Sequence, residues 1–301
     1  MIRPARNVRC FELHLHLFHR MKPLASLLIL LSPFFSPGVK AQYYYKDIMT
    51  IRYNLEQFRL AKAAKVTKVS LQSFEADGRP SEDFVCNQFY NSGFTQVRTV
   101  SDAPLSGSSS LTAYYNSSGF IFKSVDSSKE SLVVYEYAFD STGKLASIGT
   151  SSSGYGDKTK ETEWHFWKYN ANGQPEQMMK VKNGNDTTIV KFTLDEKGNV
   201  AEEESFWRNH SQDKVYYYYN DQNRVTDVVR YNTRARKLLP DYMFEYDDQN
   251  RLAQMINVQA GGIDYFTWRY TYNEKGLKQK ETCSNKQKQL VGSIEYQYQY
   301  K

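Results

Sequence analysis

Hydrophobic and polar residues alternate along most of the chain from Leu111 onward, and each alternating run ends at an Asp or Asn that is followed three residues later by Gly or Asn. The alternation has the period of a β-strand with one buried face. Asp or Asn favours the first position of a type I turn, and Gly or Asn tolerates the left-handed conformation at its end. Each copy therefore predicts a β-hairpin. The seven anchors are Asn116, Asp140, Asn170, Asp195, Asn220, Asp247 and Asn273, at spacings of 24 to 30 residues.

The strand that enters each turn is apolar or aromatic on one face. Counting back one, three and five positions from the anchor gives residues such as Tyr219, Tyr217 and Val215. The residue five positions after the anchor begins the returning strand, and it is apolar except where Pro175 and Lys278 interrupt the pattern. Repeats of this kind predict a mainly β fold, a long antiparallel meander of about sixteen strands. A sheet of that length curls, and the pattern leaves open whether it closes.

One N-terminal helix is predicted before the repeats. Ile48, Ile51, Leu55 and Phe58 fall at steps of three and four residues, which places them on one face of a helix within residues 42–65. We interpret this helix as a cover over one end of the sheet. Binding of a partner protein is the alternative.

Residues 66–110 carry only degenerate copies of the repeat. A strand pattern begins at Val66, a weak eighth copy occupies residues 74–80, and the segment 91–93 predicts a contracted turn. The Ser-rich stretch 101–110 predicts a loop. We therefore expect one β-repeat domain over residues 42–301, in which residues 111–301 hold the clear repeats.

The first 41 residues predict an export signal. Lys22 precedes the apolar run 24–31, and small residues precede a cleavage site after Ala41. The run is shorter than the roughly 18 residues that a membrane-spanning helix needs, so cleavage is favoured over a retained anchor and no membrane span is expected afterwards. Residues 1–20 resemble no structural element, and we interpret them as a mis-assigned extension before Met21. Export would lead to the periplasm, the outer-membrane surface or the exterior.

Removal of this leader changes the charge and the cysteine content. Residues 1–41 hold six of the 39 Lys and Arg and one of the 33 Asp and Glu, so the remainder has 33 basic and 32 acidic residues and a net charge of +1 instead of +6. Nucleic-acid binding needs a concentrated positive field and is not expected. Cys86 and Cys283 remain. They could pair only if the sheet closed on itself, because a disulfide needs Cα atoms within about 7 Å, and two unpaired thiols are the favoured alternative.

The repeat motif resembles that of a known family. The stretch 244–252 reads Phe-Glu-Tyr-Asp-Asp-Gln-Asn-Arg-Leu, similar to the Tyr-x-Tyr-Asp-x-x-Gly-Arg-Leu motif of YD-repeat (Rhs-type) proteins, and the similarity extends over residues 111–301. The Tyr-rich exported character also resembles uncharacterised exported proteins of Bacteroidetes-type bacteria. The resemblance implies a long antiparallel sheet, which in large family members spirals around a passenger domain. These repeats are too few to enclose a passenger, so encapsulation is not expected.

Few residues point to catalysis, and no metal or cofactor is predicted. His165 lies on the apolar face and is interpreted as a buried, hydrogen-bonded residue. The carboxylates at 161, 163 and 202–204 could form a glycosidase pair, but their positions are typical of a solvated face. The basic stretches 234–237 and 278–288 are interpreted as loop charges. The repeated Asp and Asn residues are explained by their role in turns, so they are not interpreted as calcium ligands.

The surplus of aromatic residues points to binding. Adjacent aromatics place rings on both faces of a strand, and outward rings suit glycan stacking or protein interfaces. The candidate binding residues are Trp164, Phe166, Tyr216 and Tyr218. We therefore expect an exported, non-enzymatic binding or scaffold module that recognises a glycan or an envelope protein. A polysaccharide hydrolase with a carboxylate pair is the rival hypothesis, and self-assembly at the surface is a third.

Overall fold

The computed structural model describes residues 43–103, 107–154, 160–233, 235–259 and 264–301. Within these ranges the chain forms one helix and eighteen strands. The helix α1 covers Lys46–Ala63. The strands are β1 Val66–Glu75, β2 Val85–Tyr90, β3 Gln96–Ala103, β4 Gly107–Tyr115, β5 Ile121–Ser128, β6 Ser131–Phe139, β7 Leu145–Gly154, β8 Lys160–Tyr169, β9 Pro175–Lys182, β10 Asp186–Leu194, β11 Val200–Trp207, β12 His210–Tyr219, β13 Val225–Asn232, β14 Lys237–Tyr246, β15 Leu252–Val258, β16 Tyr265–Tyr272, β17 Lys278–Ser284 and β18 Leu290–Tyr300.

The sheet closes into a barrel. Each strand pairs antiparallel with the strands before and after it in the chain, and β1 pairs with both β2 and β18. The closing pair runs from Val66 opposite Tyr300 to Glu75 opposite Gly292, with one register shift between Val66 and Lys68. The predicted mainly β meander with one N-terminal helix is therefore confirmed, and closure removes both edges on which another strand could pair.

The meander has eighteen strands because residues 66–110 continue it. The prediction of a loop over the Ser-rich stretch is wrong for its described part, since β3 ends at Ala103 and β4 begins at Gly107. Small polar side chains are tolerated there because they bond across the strands, as the hydroxyls of Ser101 and Ser109 do at 2.8 Å. The predicted contracted turn forms at Asn91, whose side-chain oxygen accepts the amide hydrogens of Thr95 and Gln96. The predicted leader, residues 1–41, lies outside the described residues.

The repeated anchors form one type of turn at one end of the barrel. At Asp247, for example, Oδ1 accepts hydrogen bonds from the amides two and four residues later, at 3.0 and 2.9 Å. The fourth residue, Asn250, has φ +62°, the left-handed conformation that the sequence predicts. The strands that follow the anchors also begin where expected. Pro175 is the first residue of β9 although proline has no backbone N–H, and Lys278 is the first residue of β17 although it is charged.

In five places a tyrosine hydroxyl links a strand to the one before it. Each of these tyrosines points into the barrel, and its hydroxyl donates to the carbonyl of the residue that begins the immediately preceding strand; four of the five directly precede an anchor. The bonds are Tyr169 to Leu145, Tyr219 to Val200, Tyr246 to Val225, Tyr272 to Leu252 and Tyr298 to Lys278, at 2.6 to 2.8 Å. Such a bond is worth roughly 1 kcal/mol, and it joins the end of one strand to the start of the strand before it.

Helix α1 lies inside the barrel across the end that carries the repeated turns. Its first residues pack against the inner faces of β7–β13, where Tyr45 and Ile48 join the main core. Its middle stacks Phe58 on Tyr115, with ring centroids 3.9 Å apart. Its last turn packs Ala61 among residues of β1 and the β16–β17 turn. The helix therefore covers one end of the sheet, as predicted, and fills the interior there.

Candidate binding surface and buried polar clusters

The predicted binding residues Trp164 and Phe166 lie on the outer wall of the barrel. Both are on β8, where they alternate with the inward residues Glu163, His165 and Trp167. Their rings are nearly parallel, with an interplanar angle of 9° and centroids 5.8 Å apart. Phe166 is 40% exposed. The two rings form a continuous aromatic surface, which we call the β8 platform.

The Trp164 indole lies flat against the neighbouring strand. Gly149 of β7 is its cross-strand partner. A Cβ atom at Gly149 would lie 2.5, 2.6 and 2.7 Å from three atoms of the six-membered ring. Such nearly equal distances place that position over the face of the ring and not beyond its edge. The ring therefore uses the space that a side chain at 149 would fill.

Sequence reasoning missed the residues that extend this platform. In register with Phe166 across the sheet lie Met179 of β9, Ile189 of β10 and Phe206 of β11. All three are partly exposed. With strands about 4.8 Å apart, the row from Phe166 to Phe206 is about 14 Å long. It could have been found only with the strand register, because the four residues are far apart in the sequence.

The other two predicted residues, Tyr216 and Tyr218, lie on the same outer wall but away from the platform. They belong to β12, four strands from β8, which corresponds to about 19 Å. Tyr218 is 48% exposed. A charged strip separates the two regions, because Lys214 bridges Glu202 and Glu204 at 2.7 and 3.5 Å. The structure thus places Trp164 and Phe166 beside further apolar residues, and it leaves Tyr216 and Tyr218 outside that group.

His165 is buried, as predicted, and carries a carboxylate on each side. Its Nδ1 lies 2.6 Å from Asp47 of α1, and its Nε2 lies 3.0 Å from Glu163. Burial disfavours the imidazolium, but the two carboxylates outweigh it and raise the pKa of His165 to about 9. The cluster therefore ties the start of the helix to the barrel wall with a charged histidine.

The prediction that the acidic stretches form a solvated face is wrong for Glu163 and Glu203. Glu203 is only 1% exposed. Its carboxylate accepts the amide hydrogens of Tyr44 and Tyr45 at 2.7 and 2.8 Å and the hydroxyl hydrogen of Tyr217 at 2.8 Å. The alternation of the strand turns Glu203 inward between Glu202 and Glu204, which point outward. Burial raises the pKa of Glu203, against the effect of these donors.

The interpretation of residues 278–288 as loop charges is also wrong at Lys278. Its side chain is only 12% exposed, and its ammonium contacts Glu281 at 2.5 Å. Tyr296 donates a hydrogen bond to the same carboxylate at 2.6 Å. Burial lowers the pKa of Lys278, but neighbouring groups, Glu281 among them, raise it well above its ordinary value. Lys280, by contrast, points outward and pairs with Glu295.

Metal ligands and membrane-spanning helices are not found in the parts of the chain that the structure describes. No group of three His, Cys, Asp or Glu there is arranged to hold a metal ion. Both ring nitrogens of His165 face carboxylates, so neither is available as a ligand. Cys86 and Cys283 are buried free thiols. No described helix is long and apolar enough to cross a bilayer.

Comparisons with known proteins give similarity to solved structures only. No protein-family model and no curated protein matches the chain. The Tc holotoxin pore of Photorhabdus luminescens aligns at 14% identity and a TM-score of 0.33, over 72% of this chain and 12% of the toxin chain. A porin-like protein from Bacteroides uniformis aligns at 9% identity and a TM-score of 0.37, over 78% of this chain and 98% of its own. At TM-scores below 0.5 these similarities carry no functional argument.

Proposed function

We propose that this protein is an exported, non-enzymatic binding module of the YD-repeat type, whose β8 platform stacks on the sugar rings of an envelope glycan. The single observation that carries the proposal is the indole of Trp164 lying flat over Gly149 beside the parallel ring of Phe166. A ring held flat on a wall presents its second face outward. The apolar faces of sugar rings stack on such surfaces.

The surroundings of the platform support a carbohydrate ligand. On β7, the outward neighbours of the two rings are Ser147, Gly149 and Ser151. Their hydroxyls and backbone are small and polar, so they leave the rings accessible and offer hydrogen bonds. The row that ends at Phe206 would extend contact along an oligosaccharide across four strands. Assignment to the YD-repeat type rests on the repeated sequence motif, as in residues 244–252, and is consistent with the antiparallel meander.

The contacts of the buried carboxylates support binding over hydrolysis. A glycosidase needs two carboxyl groups that face the substrate. Glu203 accepts three hydrogen bonds from the protein, and Glu163 contacts His165 inside the barrel. The polysaccharide hydrolase remains the rival, and product formation from any glycan that binds would establish it.

The test is binding of the purified protein to an array of neutral oligosaccharides, followed by titration with the best binder. We expect Trp164→Ala and Phe166→Ala each to weaken binding by about tenfold or more without change in the thermal unfolding midpoint. Gly149→Ala should do the same, because extended backbone at 149 tolerates alanine but the new methyl displaces the indole.

Two variants are matched controls and should bind normally. They are Ser147→Ala, on the same strand and face as Gly149, and Tyr218→Ala, on β12 away from the β8 platform. The glycan proposal fails if no neutral oligosaccharide binds, or if the controls lose as much affinity as the platform variants. Retention of an envelope protein by the platform, with no oligosaccharide bound, would favour the protein partner in its place.

A further inference from the structure

A second group of outward residues lies on the wall formed by β1, β2 and β3, away from the β8 platform. Phe89 of β2 is 43% exposed and has Lys68 of β1 and Arg98 of β3 as its cross-strand partners. The Lys68 ammonium lies 5.6 Å from the centroid of the Phe89 ring. Lys68, Phe89 and Arg98 therefore form a row across three adjacent strands, with the aromatic ring between the two cations. The two cationic positions are about 10 Å apart.

Neither cation has a carboxylate partner among the residues that the structure describes. Within the described ranges, no carboxylate lies within 4.0 Å of Lys68 or Arg98, whereas Lys168, Lys214 and Lys280 on other walls are each paired with a glutamate. The neighbours on the same face are uncharged as well. They are Ser70, Asn87, Gln96, Val100, Thr112 and Gln299. Two uncompensated cations on a neutral surface produce a positive potential that attracts anions.

An open depression adjoins the row. It has a volume of about 420 Å³ and is lined by Phe89, Tyr90, Asn91, Gln96 and Arg98. The ring gives it an apolar side, Arg98 gives it a guanidinium that can hold a carboxylate through two hydrogen bonds, and Gln96 gives it an amide that can bond hydroxyl groups. These three chemistries lie together at the strand ends next to the Asn91 turn.

We propose that this surface is a second carbohydrate site that binds an acidic glycan through the carboxylates of its uronic acid residues. A uronic acid combines a carboxylate, hydroxyl groups and an apolar ring face, and each has a counterpart in the row and its depression. An acidic peptide such as poly-glutamate would satisfy the two cations and the amide, but it has no rigid apolar ring face to stack on Phe89. The site does not depend on the β8 platform, because at least four strands separate β3 from β8.

The test is titration of the purified protein with oligogalacturonate, with uncharged maltohexaose and with poly-glutamate of similar length. We expect oligogalacturonate to bind, and to bind more weakly as salt is raised. Arg98→Gln should weaken that binding about tenfold, which is the loss expected for one charged contact, and Lys68→Gln and Phe89→Ser should each weaken it severalfold.

The matched control is Arg269→Gln, which removes an outward guanidinium from β16 on another wall. It should leave affinity unchanged, and all variants should keep the thermal unfolding midpoint of the parent. Equal losses in Arg98→Gln and Arg269→Gln, no binding of oligogalacturonate, or tighter binding of poly-glutamate would each overturn the proposal. Trp164→Ala should leave oligogalacturonate affinity intact, so failure of the β8 platform is distinguishable from failure of this site.

Discussion

Glu203 of β11 accepts the backbone amide hydrogen of Tyr45, 158 positions earlier in the chain, at 2.8 Å. The first amides of a helix have no partner within the helix, and here Tyr45, at the N-terminal boundary of α1, makes no capping bond with its own side chain. A carboxylate from the barrel wall supplies the acceptor. The helix that fills the barrel is thereby fixed at its start by a residue of the repeat array.

Glu203→Gln should destabilise the fold. The amide group of glutamine keeps only one of the two acceptor oxygens, so either an N–H of the Tyr44–Tyr45 segment or the Tyr217 hydroxyl loses its acceptor. A buried donor left without an acceptor costs about 1–3 kcal/mol. Urea unfolding measures the change. Glu202→Gln is the control, because its exposed bridge to Lys214 is worth less than about 1 kcal/mol; an equal loss in both variants would contradict the capping role.

The stability of the protein should fall as pH rises from about 6.5 through 9. The pKa of His165 is raised to about 9 in the folded state, against an ordinary value of 6.5. Its contribution is therefore complete below 6.5 and lost as the folded histidine deprotonates, and its size is on the order of 3 kcal/mol. Urea unfolding between pH 6 and 10 tests this. His165→Gln should flatten the profile, while His210→Gln, on the exposed end of β12, should not.

The tyrosine bonds between repeats should contribute separately. Tyr219→Phe removes the hydrogen bond to the Val200 carbonyl and should cost about 1 kcal/mol, because the ring stays in place and only the hydroxyl is lost. Tyr218→Phe, one residue earlier and on the outer wall, is the control and should be neutral. If the two variants unfold at the same urea concentration, the hydroxyl bonds do not stabilise the array.

Lys278 and Glu281 should behave as a coupled pair. Removal of either partner leaves an uncompensated buried charge, so Lys278→Met or Glu281→Gln alone should cost about 3–5 kcal/mol, and the double variant should recover a large part of it. A double-mutant cycle measures the coupling. The exterior pair Lys280 and Glu295 is the comparison, for which we expect coupling below about 1 kcal/mol. Additive losses at Lys278 and Glu281 would show that the contact is not energetically important.

The sequence by itself determined the local structure of this protein. Each hairpin is written within a few residues, since the Asp or Asn side chain bonds amides two and four residues later and the fourth position accepts a left-handed conformation, as at Asp247 and Asn250. The alternation on either side fixes which face is apolar, and the spacing of Ile48, Ile51, Leu55 and Phe58 predicts α1. These signals depend on neighbours in the chain, so the fold class and the outward position of Trp164 and Phe166 could be predicted.

The tertiary structure decided what depends on distant partners. Closure rests on β1 meeting β18, more than 200 residues later, and no local pattern encodes that meeting. Glu203, Glu163 and Lys278 look like surface charges in the sequence, because a charged residue is buried only when a partner compensates it, and their partners lie on other strands or on α1. The orientation of the Trp164 ring against the sheet could not be predicted either, because it requires a glycine opposite Trp164 on the adjacent strand.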